Sequence, residues 1–334
     1  MGLETMKRII SVLLCIIFCL SFAACSSEDP YREKTFFVMD AALTVRLWGC
    51  DGQADVLFAN ALSLVREIEQ DLSRTDPESD VSRINREGSA GDLSAHTLAV
   101  LSLALEVSIK TQGAYLPTMG SVADLWRQAG ESDKLPDEAL LQEALAAARQ
   151  GFHLENGICT ILGEGATLDL GGIGKGYAVD CLLDYFREAS VPGALISFGS
   201  SVATLGEKGD GSDFRISLRD PKDANATKAT LNAPRGSLSV SGDYERFVTV
   251  GGERYHHILD PDTAYPCENG LSSVAVLCES GALADALSTA LFVIGEQSAR
   301  ELLDSGAFEA EAVFITASGK LTHTPGLSDI LEVN

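Results

Sequence analysis

Residues 168–180 read Leu-Asp-Leu-Gly-Gly-Ile-Gly-Lys-Gly-Tyr-Ala-Val-Asp, a stretch that holds four glycines within six positions. The pattern predicts a strand end, a glycine-rich turn and then a helix over 175–189. Free backbone amides at a helix N-terminus suit an anionic phosphate, and Lys175 adds a point charge. Taken alone, the stretch fits a tight strand-to-helix turn without a ligand equally well.

Two known phosphate-binding patterns do not fit this stretch. A Walker A loop needs Ser or Thr directly after its Lys and four residues between its glycines, whereas Gly176 follows Lys175 here. The dinucleotide fingerprint follows the first strand of a fold and precedes an acidic residue about 20 positions later, which is not the arrangement here. The sequence therefore disfavours both nucleotide-binding classes.

The chain on either side of this stretch predicts an α+β fold with a helical early part and a sheet-rich late part. Alternating apolar residues predict a strand over 37–48, and apolar spacing of three and four predicts early helices over 54–72, 94–113 and 137–149. Short β-like runs follow later, at 158–162, 194–197, 214–218, 238–241, 247–250 and 312–316. Late helices are predicted over 175–189, 282–294 and 298–304. Regular βαβ alternation and fixed-period repeats are lacking, which disfavours a doubly wound sheet or a solenoid.

The first residues have the pattern of an export signal. Lys7 and Arg8 precede an apolar run over 9–24, and small residues lead directly into Cys25. This junction resembles the lipobox of bacterial lipoproteins, so we expect residues 1–24 to be a signal peptide and Cys25 to be lipidated. Residues 25–34 would form a tether and 35–334 the folded unit, extracytoplasmic and attached to the bacterial membrane. Soluble secretion is the alternative.

Charge and cysteine content narrow the class of protein further. With 25 Lys and Arg against 48 Asp and Glu, the formal net charge is −23, the wrong sign for a nucleic-acid partner. Eight cysteines are present, of which five follow the lipobox with no metal-binding spacing. We expect these five to be small apolar core residues rather than a disulfide framework.

A second pattern of candidate functional residues spans 239–246, Ser-Val-Ser-Gly-Asp-Tyr-Glu-Arg. It continues at 255–261 in Tyr-His-His-Ile-Leu-Asp-Pro. Adjacent histidines on a strand point to opposite faces, so His256 and His257 are not expected to share one metal. We expect one of the two to face a site and the other to lie at the surface. A histidine pair without a functional role is the competing interpretation.

The third pattern is a set of oxygen-bearing side chains in an apolar helix. Asp285 and Thr289 are four residues apart and therefore share one helix face, with Ser288 beside them. Carboxylate, hydroxyl and carbonyl oxygens are ligands that suit Mg²⁺. Local capping or hydrogen bonding would explain the same residues without a metal.

Taken together, the patterns resemble the ApbE family of FAD:protein FMN transferases. The resemblance runs in order through Met39, Ser79 to Asn85, Gly113 to Gly120 with Asp124 to Trp126, Asp169 to Asp180, Ser241 to Tyr244, His257 to Pro261 and Ala284 to Leu291. It implies a single catalytic α+β unit with an internally duplicated, T-fold-like core.

The resemblance also implies an activity. Such an enzyme binds FAD, cleaves its pyrophosphate with Mg²⁺, joins FMN to a Thr or Ser hydroxyl of an acceptor flavoprotein subunit and releases AMP. It places the metal at Asp285, Thr289 and a backbone carbonyl near Gly172 or Gly174, with Ser288 adjacent. Flavin contacts would fall at Met39, Thr75, Ala114, Tyr115, Leu116, Asp169, Lys175, His257 and Ile258.

This chain departs from the family pattern at several positions. Members usually have Met-Gly-Thr where this chain has Met39-Asp40-Ala41, and Asp where it has Leu116. Tyr or Asn is common near Thr75, and Gly is usual at Ala264. These positions lie on the expected flavin side, so the departures bear on flavin contacts rather than on the phosphate chemistry.

Displacement at phosphorus needs charge neutralisation and a base. Lys175 and the amides of 171–176 are the expected phosphate contacts, and His257 and Asp243 are both candidates for the base. With water in place of the acceptor, the same site would be an FAD pyrophosphatase that yields FMN and AMP. A flavin-binding lipoprotein without chemistry would need no metal residues, and a solute-binding lipoprotein would need two similar lobes that the sequence does not have.

Overall fold

The structure is a computed structural model, and it describes residues 31–232, 234 and 236–334. The predicted signal peptide and the lipidation site Cys25 lie outside the described residues. The first described residues already form strand β1 (Tyr31–Val38), which pairs with β2 (Ala41–Trp48). The predicted boundary between tether and folded unit at residue 35 is therefore wrong. The start of β1 was missed because residues 31–35 are almost all polar and are exposed on an edge strand.

An antiparallel sheet of eight strands forms the centre of the fold. Its order is β1, β2, β6 (Gly193–Phe198), β7 (Ser201–Gly206), β10 (Ser237–Gly242), β13 (Leu271–Cys278), β14 (Ala310–Thr316) and β15 (Leu321–His323). Every residue of β13 is buried. This strand was not predicted, because a strand that is buried along its whole length has no alternating pattern.

Seven α-helices lie within the described residues, besides one 3-10 turn at Pro325–Leu327. They are α1 (Ala54–Leu72), α2 (Asp80–Glu87), α3 (Ala95–Lys110), α4 (Gly120–Ser132), α5 (Glu138–Ala148), α6 (Gly174–Glu188) and α7 (Gly281–Asp304). The predicted early helices match α1, α3 and α5, with Ser94 and Asp137 as N-caps whose side chains accept backbone N–H bonds. The described part of the chain contains no helix long and apolar enough to cross a membrane.

Three smaller sheets surround the central one. Strand β5 (Ile158–Ile161) lies between β3 (Ser89–Ala90) and β4 (Phe152–Glu155), and β11 (Phe247–Val250) pairs with β12 (Glu253–His256). The third sheet has the order β16 (Leu331–Val333), β9 (Asp223–Asn232) and β8 (Arg215–Asp220). Its apolar residues pack with Leu238 and Val240 of β10. The opposite face of β10 is therefore left for the helices.

The segment 37–48, which was predicted as one strand, contains the end of β1, a turn and the whole of β2. The two strands form a hairpin. Met39 and Asp40 form its two-residue turn, with φ of 49° and 54°, while β1 and β2 continue on either side. A turn with positive φ at both central residues matches the twist of the paired strands, although glycine or asparagine is the usual choice. The alternation of apolar residues passes through this turn without a break, which is why the sequence predicted one strand.

The two helices predicted over 282–294 and 298–304 form one kinked helix, α7. The kink lies at Gly295, whose φ of 77° and ψ of 165° are not helical. Asn269 donates through Nδ2 to the carbonyls of Phe292 and Val293, which the kink leaves without helical partners. The first half of α7 is almost wholly buried in the core.

The core and the cysteines follow the predicted pattern in most respects. Helices α6 and α7 pack with β2, β6 and β13 in one large apolar cluster, and the mixed helix-and-sheet class is confirmed. The internal duplication stays a prediction. Cys159, Cys267 and Cys278 are buried, Cys50 and Cys181 are half-buried, and these five thiols are free.

Candidate active site

The crossing of α6 and α7 is the structural basis of the site. At Gly176 a Cβ atom would lie 2.1 Å from the carbonyl oxygen of Gly281, and at Gly281 it would lie 2.7 Å from the carbonyl oxygen of Gly176. Only glycine allows the two backbones to approach so closely. Gly176 of the glycine-rich turn therefore serves helix packing.

Asp180 of α6 fixes the start of α7. Its carboxylate accepts hydrogen bonds from the backbone amides of Gly281 and Ala282 and from the hydroxyl of Ser280. Burial raises the pKa of Asp180, and the three donors partly offset that effect. The negative charge also interacts favourably with the positive end of the α7 dipole. Helix α7 is therefore held in position relative to α6 one turn before Asp285.

Asp285 is a buried carboxylate, only 4% exposed. Oδ2 accepts a hydrogen bond of 3.2 Å from the amide of Gly176, and Oδ1 accepts one of 3.2 Å from the hydroxyl of Ser239. Within residues 31–232, 234 and 236–334, no Lys, Arg or His nitrogen forms an ion pair with it. A buried charge without a counter-ion is costly, so the site favours a cation.

Thr289 lies one turn after Asp285 and is bound to Ser241 of β10. The Thr289 Oγ1 and Ser241 Oγ atoms are 3.2 Å apart, and Ser241 is 2.8 Å from Ser288 Oγ. At Gly172 a Cβ atom would lie 3.6 Å from Thr289 Oγ1, so the backbone of the glycine-rich turn reaches the same place. The structure therefore brings Gly172, Asp285 and Thr289 together, as the sequence predicted.

The amides of the glycine-rich turn are mostly occupied. Gly171 donates to Asp169 Oδ1, Ile173 and Gly174 donate to the carbonyl of Leu170, and Gly176 donates to Asp285. Four of the six amides in 171–176 therefore already have partners, and the expectation that these amides hold the phosphates stays a prediction. Lys175 itself is nearly buried and donates from Nζ to the carbonyl of Gly171 at 2.6 Å.

A cleft of about 420 Å³ opens beside the crossing. Ten of the predicted site residues line it, namely Ala114, Tyr115, Leu116, Asp169, Gly172, Lys175, His257, Ile258, Asp285 and Thr289. They come from the turn before α6, from α6 itself, from α7 and from the loops that follow α3 and β12. Ser200, Val240, Glu245 and Arg246 also line the cleft, although none was predicted as a site residue; the last three belong to the pattern at 239–246.

Four predicted site residues do not line this cleft. The amide of Met39 donates to Glu69, and the hydroxyl of Thr75 bonds to Ser73 on an exposed loop. Asp243 accepts a hydrogen bond of 2.8 Å from the hydroxyl of Ser272. Ser288 is fully buried behind Thr289 and donates to the carbonyl of Asp285. Their positions follow from hairpin, loop and strand pairings that sequence spacing does not reveal.

The two adjacent histidines have different surroundings. His257 lines the cleft, and its Nδ1 lies 3.0 Å from the carbonyl of Arg246. His256 is half-buried, with its ring 5.8 Å from that of Phe292 and its Nε2 bonded to the carbonyl of Cys267. One histidine does face the site, but the expectation that the other lies at the surface is wrong.

Protein groups around His257 determine its charge state. Although His257 is exposed, the surrounding cleft partly withdraws the imidazole from water and lowers its pKa, and the positive charges of Arg246 and Lys175 lower it further. The ring is therefore neutral near pH 7. Because a carbonyl only accepts, Nδ1 carries the hydrogen and Nε2 holds a free lone pair.

A salt-bridge network that the sequence did not indicate holds Asp169. Arg74 donates from Nη1 to Asp169 at 3.0 Å and from Nη2 to Asp124 at 2.9 Å. The three residues come from the loop after α1, the turn before α6 and helix α4. Their separations of 50 and 95 residues explain why no sequence pattern linked them.

Ala264 stands where the family pattern has glycine, and its backbone shows why glycine is usual. Its φ is 66°, in the left-handed region, and the residue is fully buried. Its carbonyl accepts a hydrogen bond of 2.7 Å from the indole of Trp126. The turn therefore keeps the conformation that glycine favours, although the side chain has changed.

The ApbE family pattern matches residues 39–314 of this chain. The chain belongs to the ApbE family. A protein of Klebsiella pneumoniae (strain 342) named FAD:protein FMN transferase is 31% identical over 298 residues, which cover 87% of this chain and 90% of that protein. A protein of the same name from Treponema pallidum (strain Nichols) is 30% identical over 348 residues, with coverage of 97% and 95%.

A solved structure supports the same assignment. The crystal structure of the ApbE protein from Thermotoga maritima is 27% identical, with a TM-score of 0.81 over 90% of this chain and 99% of that one. The resemblance drawn from the sequence is confirmed, and so is the prediction of a transferase enzyme. Among the described residues, no cluster of three or more His, Cys, Asp or Glu side chains could hold a metal.

Proposed function

We propose that this ApbE protein transfers FMN from FAD to a Thr or Ser hydroxyl of an acceptor flavoprotein subunit and releases AMP, in a reaction that depends on Mg²⁺. The observation that carries the proposal is the buried Asp285 carboxylate, which faces the cleft without a cationic partner among the described residues. The names of the relatives that are 31% and 30% identical support FAD as the flavin donor.

The oxygens at the α6–α7 crossing fit Mg²⁺. Asp285 accepts one hydrogen bond at each carboxylate oxygen, which leaves lone pairs on both. Thr289 and the backbone of Gly172 would complete a protein set of carboxylate, hydroxyl and carbonyl oxygens, the ligands that Mg²⁺ prefers. Mg²⁺ bound there would neutralise charge on the pyrophosphate of FAD.

His257 is the base in this proposal, and Asp243 is not. His257 lines a cleft that an acceptor hydroxyl can enter and has a free Nε2 lone pair, whereas Asp243 is bonded to Ser272 and does not line the cleft. His257 would take the proton from the hydroxyl as its oxygen attacks the phosphorus on the FMN side. A bond forms between that oxygen and phosphorus, the bond to the bridging oxygen breaks, and AMP leaves with the electron pair.

Lys175 would hold the substrate rather than exchange protons with it. One of its three N–H donors is used by the carbonyl of Gly171, and the others remain available beside the cleft. A positive charge held in place by a backbone carbonyl stabilises the negative charge that develops on the phosphate oxygens.

The transfer is tested by mixing the purified protein, FAD, Mg²⁺ and a flavoprotein subunit with an acceptor Thr. The subunit should gain the mass of FMN less water, and AMP should form in equal amount, as measured by intact mass and chromatography. A Thr→Val variant of the acceptor is the matched control. If AMP and free FMN form at the same rate with either acceptor, and neither gains mass, the protein is a pyrophosphatase.

Hydrolysis is the second candidate activity, and the solvent exposure of His257 favours it as a side reaction. Water that enters the cleft would meet the same base. We therefore expect slow release of FMN and AMP without an acceptor.

We also propose that the protein is anchored to the extracytoplasmic face of the bacterial membrane through a lipid on Cys25. The support is the sequence of the Cys25 junction and the apolar run before it. Cys25→Ser should release the protein from the membrane fraction. Wild-type protein that is soluble, with its N-terminus at another residue, would contradict the anchor.

A further inference from the structure

Strand β10 carries serines at three alternate positions, 237, 239 and 241, all on the face that meets α7. Two residues along a strand advance about 7 Å, and four residues along a helix advance about 6 Å. Each serine therefore lies opposite a successive turn of α7. Ser237 lies near Gly281, Ser239 bonds to Asp285 and Ser241 bonds to Thr289.

The hydrogen bonds at Ser239 have a fixed direction. An ionised carboxylate only accepts, so the Ser239 hydroxyl donates to Asp285 Oδ1. Its single hydrogen is then used, and the 2.6 Å bond between Ser239 and Ser201 must be donated by Ser201. Both serines are fully buried, and they face each other across β7 and β10.

The bonds at Ser241 also have one consistent direction. Ser288 donates to the carbonyl of Asp285, so it accepts from Ser241, and Ser241 accepts from Thr289. Thr289 thus gives its hydrogen to Ser241, and its oxygen lone pairs remain for a ligand.

We propose that Ser239 is a positioning residue, which holds Asp285 in the orientation that binds a divalent cation, and that Ser201 supports it from behind. This inference rests on the proposed function, because it concerns the cation site of that reaction. Ser239 does not line the cleft, so it acts only through Asp285. Groups that orient a metal ligand typically change metal affinity about ten- to hundredfold when they are removed.

The test measures Mn²⁺ binding by electron paramagnetic resonance in the full-length protein free of FAD, since Mn²⁺ suits the same oxygen ligands. Ser239→Ala should weaken Mn²⁺ binding about ten- to hundredfold, and it should raise the Mg²⁺ concentration for half-maximal AMP release while kcat at saturating Mg²⁺ stays within about threefold. Ser237→Ala is the matched control, because Ser237 lies on the same face and its hydroxyl makes no hydrogen bond with the described residues. It should bind Mn²⁺ like the wild type.

Two further variants separate the possible failures. The double variant Ser201→Ala/Ser239→Ala should bind Mn²⁺ like Ser239→Ala alone, because Ser201 acts only through Ser239. Wild-type affinity in Ser239→Ala, together with weakened binding in Asp285→Ala, would overturn the positioning role and leave the proposed function standing. Undiminished Mn²⁺ binding in Asp285→Ala would overturn the cation site, and the role of Ser239 with it.

Discussion

The cleft has two walls that are built differently. The helical wall consists of Lys175, Asp285 and Thr289 on α6 and α7, and the loop wall consists of residues 114–116 and 257–258. Backbone and side-chain hydrogen bonds from α6 and β10 hold the helical wall, whereas the loop wall follows the ends of α3 and β12. The residues proposed to bind the cation and the phosphates are therefore held by hydrogen bonds to the neighbouring elements, and we expect substitutions at residues 114–116 of the loop wall to have less structural consequence.

The largest effect is expected from the helical wall itself. Asp285→Ala should lower Mg²⁺-dependent AMP release by at least about a thousandfold, because a bound cation supplies several kcal/mol of charge stabilisation. Asp184→Ala, an exposed carboxylate on α6, is the control and should keep wild-type activity. Equal activity in the two variants would mean that the cation binds elsewhere.

The second prediction concerns the base on the loop wall. His257→Ala should lower FMN transfer about 10²- to 10⁴-fold, while FAD binding, measured by flavin fluorescence, changes little. Since its surroundings lower the pKa of His257, the neutral base is present above that lowered pKa and is lost only in more acidic solution. The acid limb of the transfer rate should therefore lie well below pH 6.5. An acid limb at or above pH 6.5 would exclude His257, with its lowered pKa, as the base.

The third prediction tests whether the crossing of α6 and α7 orients the helical wall. Gly176→Ala places a Cβ atom 2.1 Å from the carbonyl oxygen of Gly281, so the helices must separate. The free energy of unfolding should fall by about 3 kcal/mol, which urea denaturation measures. Gly52→Ala, where a Cβ meets nothing within 4 Å, is the control and should change it by less than about 1 kcal/mol. Similar values for both would show that the crossing is not tight.

The difference between the walls also explains what could be predicted from the sequence. Asp285 and Thr289 are four residues apart in a helix, so regular geometry alone placed them together. The positions of Met39 and Thr75 depend on a hairpin turn and a surface loop, and neither residue reaches the cleft. The link between Arg74 and Asp169 spans 95 residues, and no local pattern encodes such a contact.

Among the helices and strands too, features set by local periodicity were predicted, and features set by residues distant in sequence were not. Apolar periodicity predicted α1, α3 and α5 closely, because each buries one stripe against the core. The kink at Gly295 and the buried strand β13 were missed, because their shape depends on neighbours that are distant in sequence. The cysteines were expected in the core, and three of the five are buried there.

The fourth prediction compares two residues that were predicted to contact the flavin, Leu116 and Thr75. Leu116 lines the cleft, whereas Thr75 is bonded to Ser73 outside it. Leu116→Ala should weaken FAD binding about fivefold through lost apolar contact, as measured by fluorescence titration. Thr75→Ala is the paired variant and should change the dissociation constant less than about twofold, because it removes only an exposed hydroxyl. The reverse order would place the flavin near Thr75.

The smallest effect is expected at Tyr115, where the two walls meet. Its hydroxyl is buried and has no hydrogen-bond partner among the described residues, and burial, followed by the charges of Asp285 and Asp169, raises its pKa well above the usual value. It therefore stays protonated, as an unused donor. An unpaired buried hydroxyl is destabilising, so Tyr115→Phe should leave the free energy of unfolding unchanged or raise it by up to about 1 kcal/mol.

Tyr177→Phe is the matched control for this last prediction. The Tyr177 hydroxyl lies 2.9 Å from Nδ1 of His96, so its removal should lower the free energy of unfolding by about 1 kcal/mol. Urea denaturation of both variants without FAD or added metal measures the difference. If Tyr115→Phe is destabilised as much as Tyr177→Phe, the Tyr115 hydroxyl has a partner in the free protein.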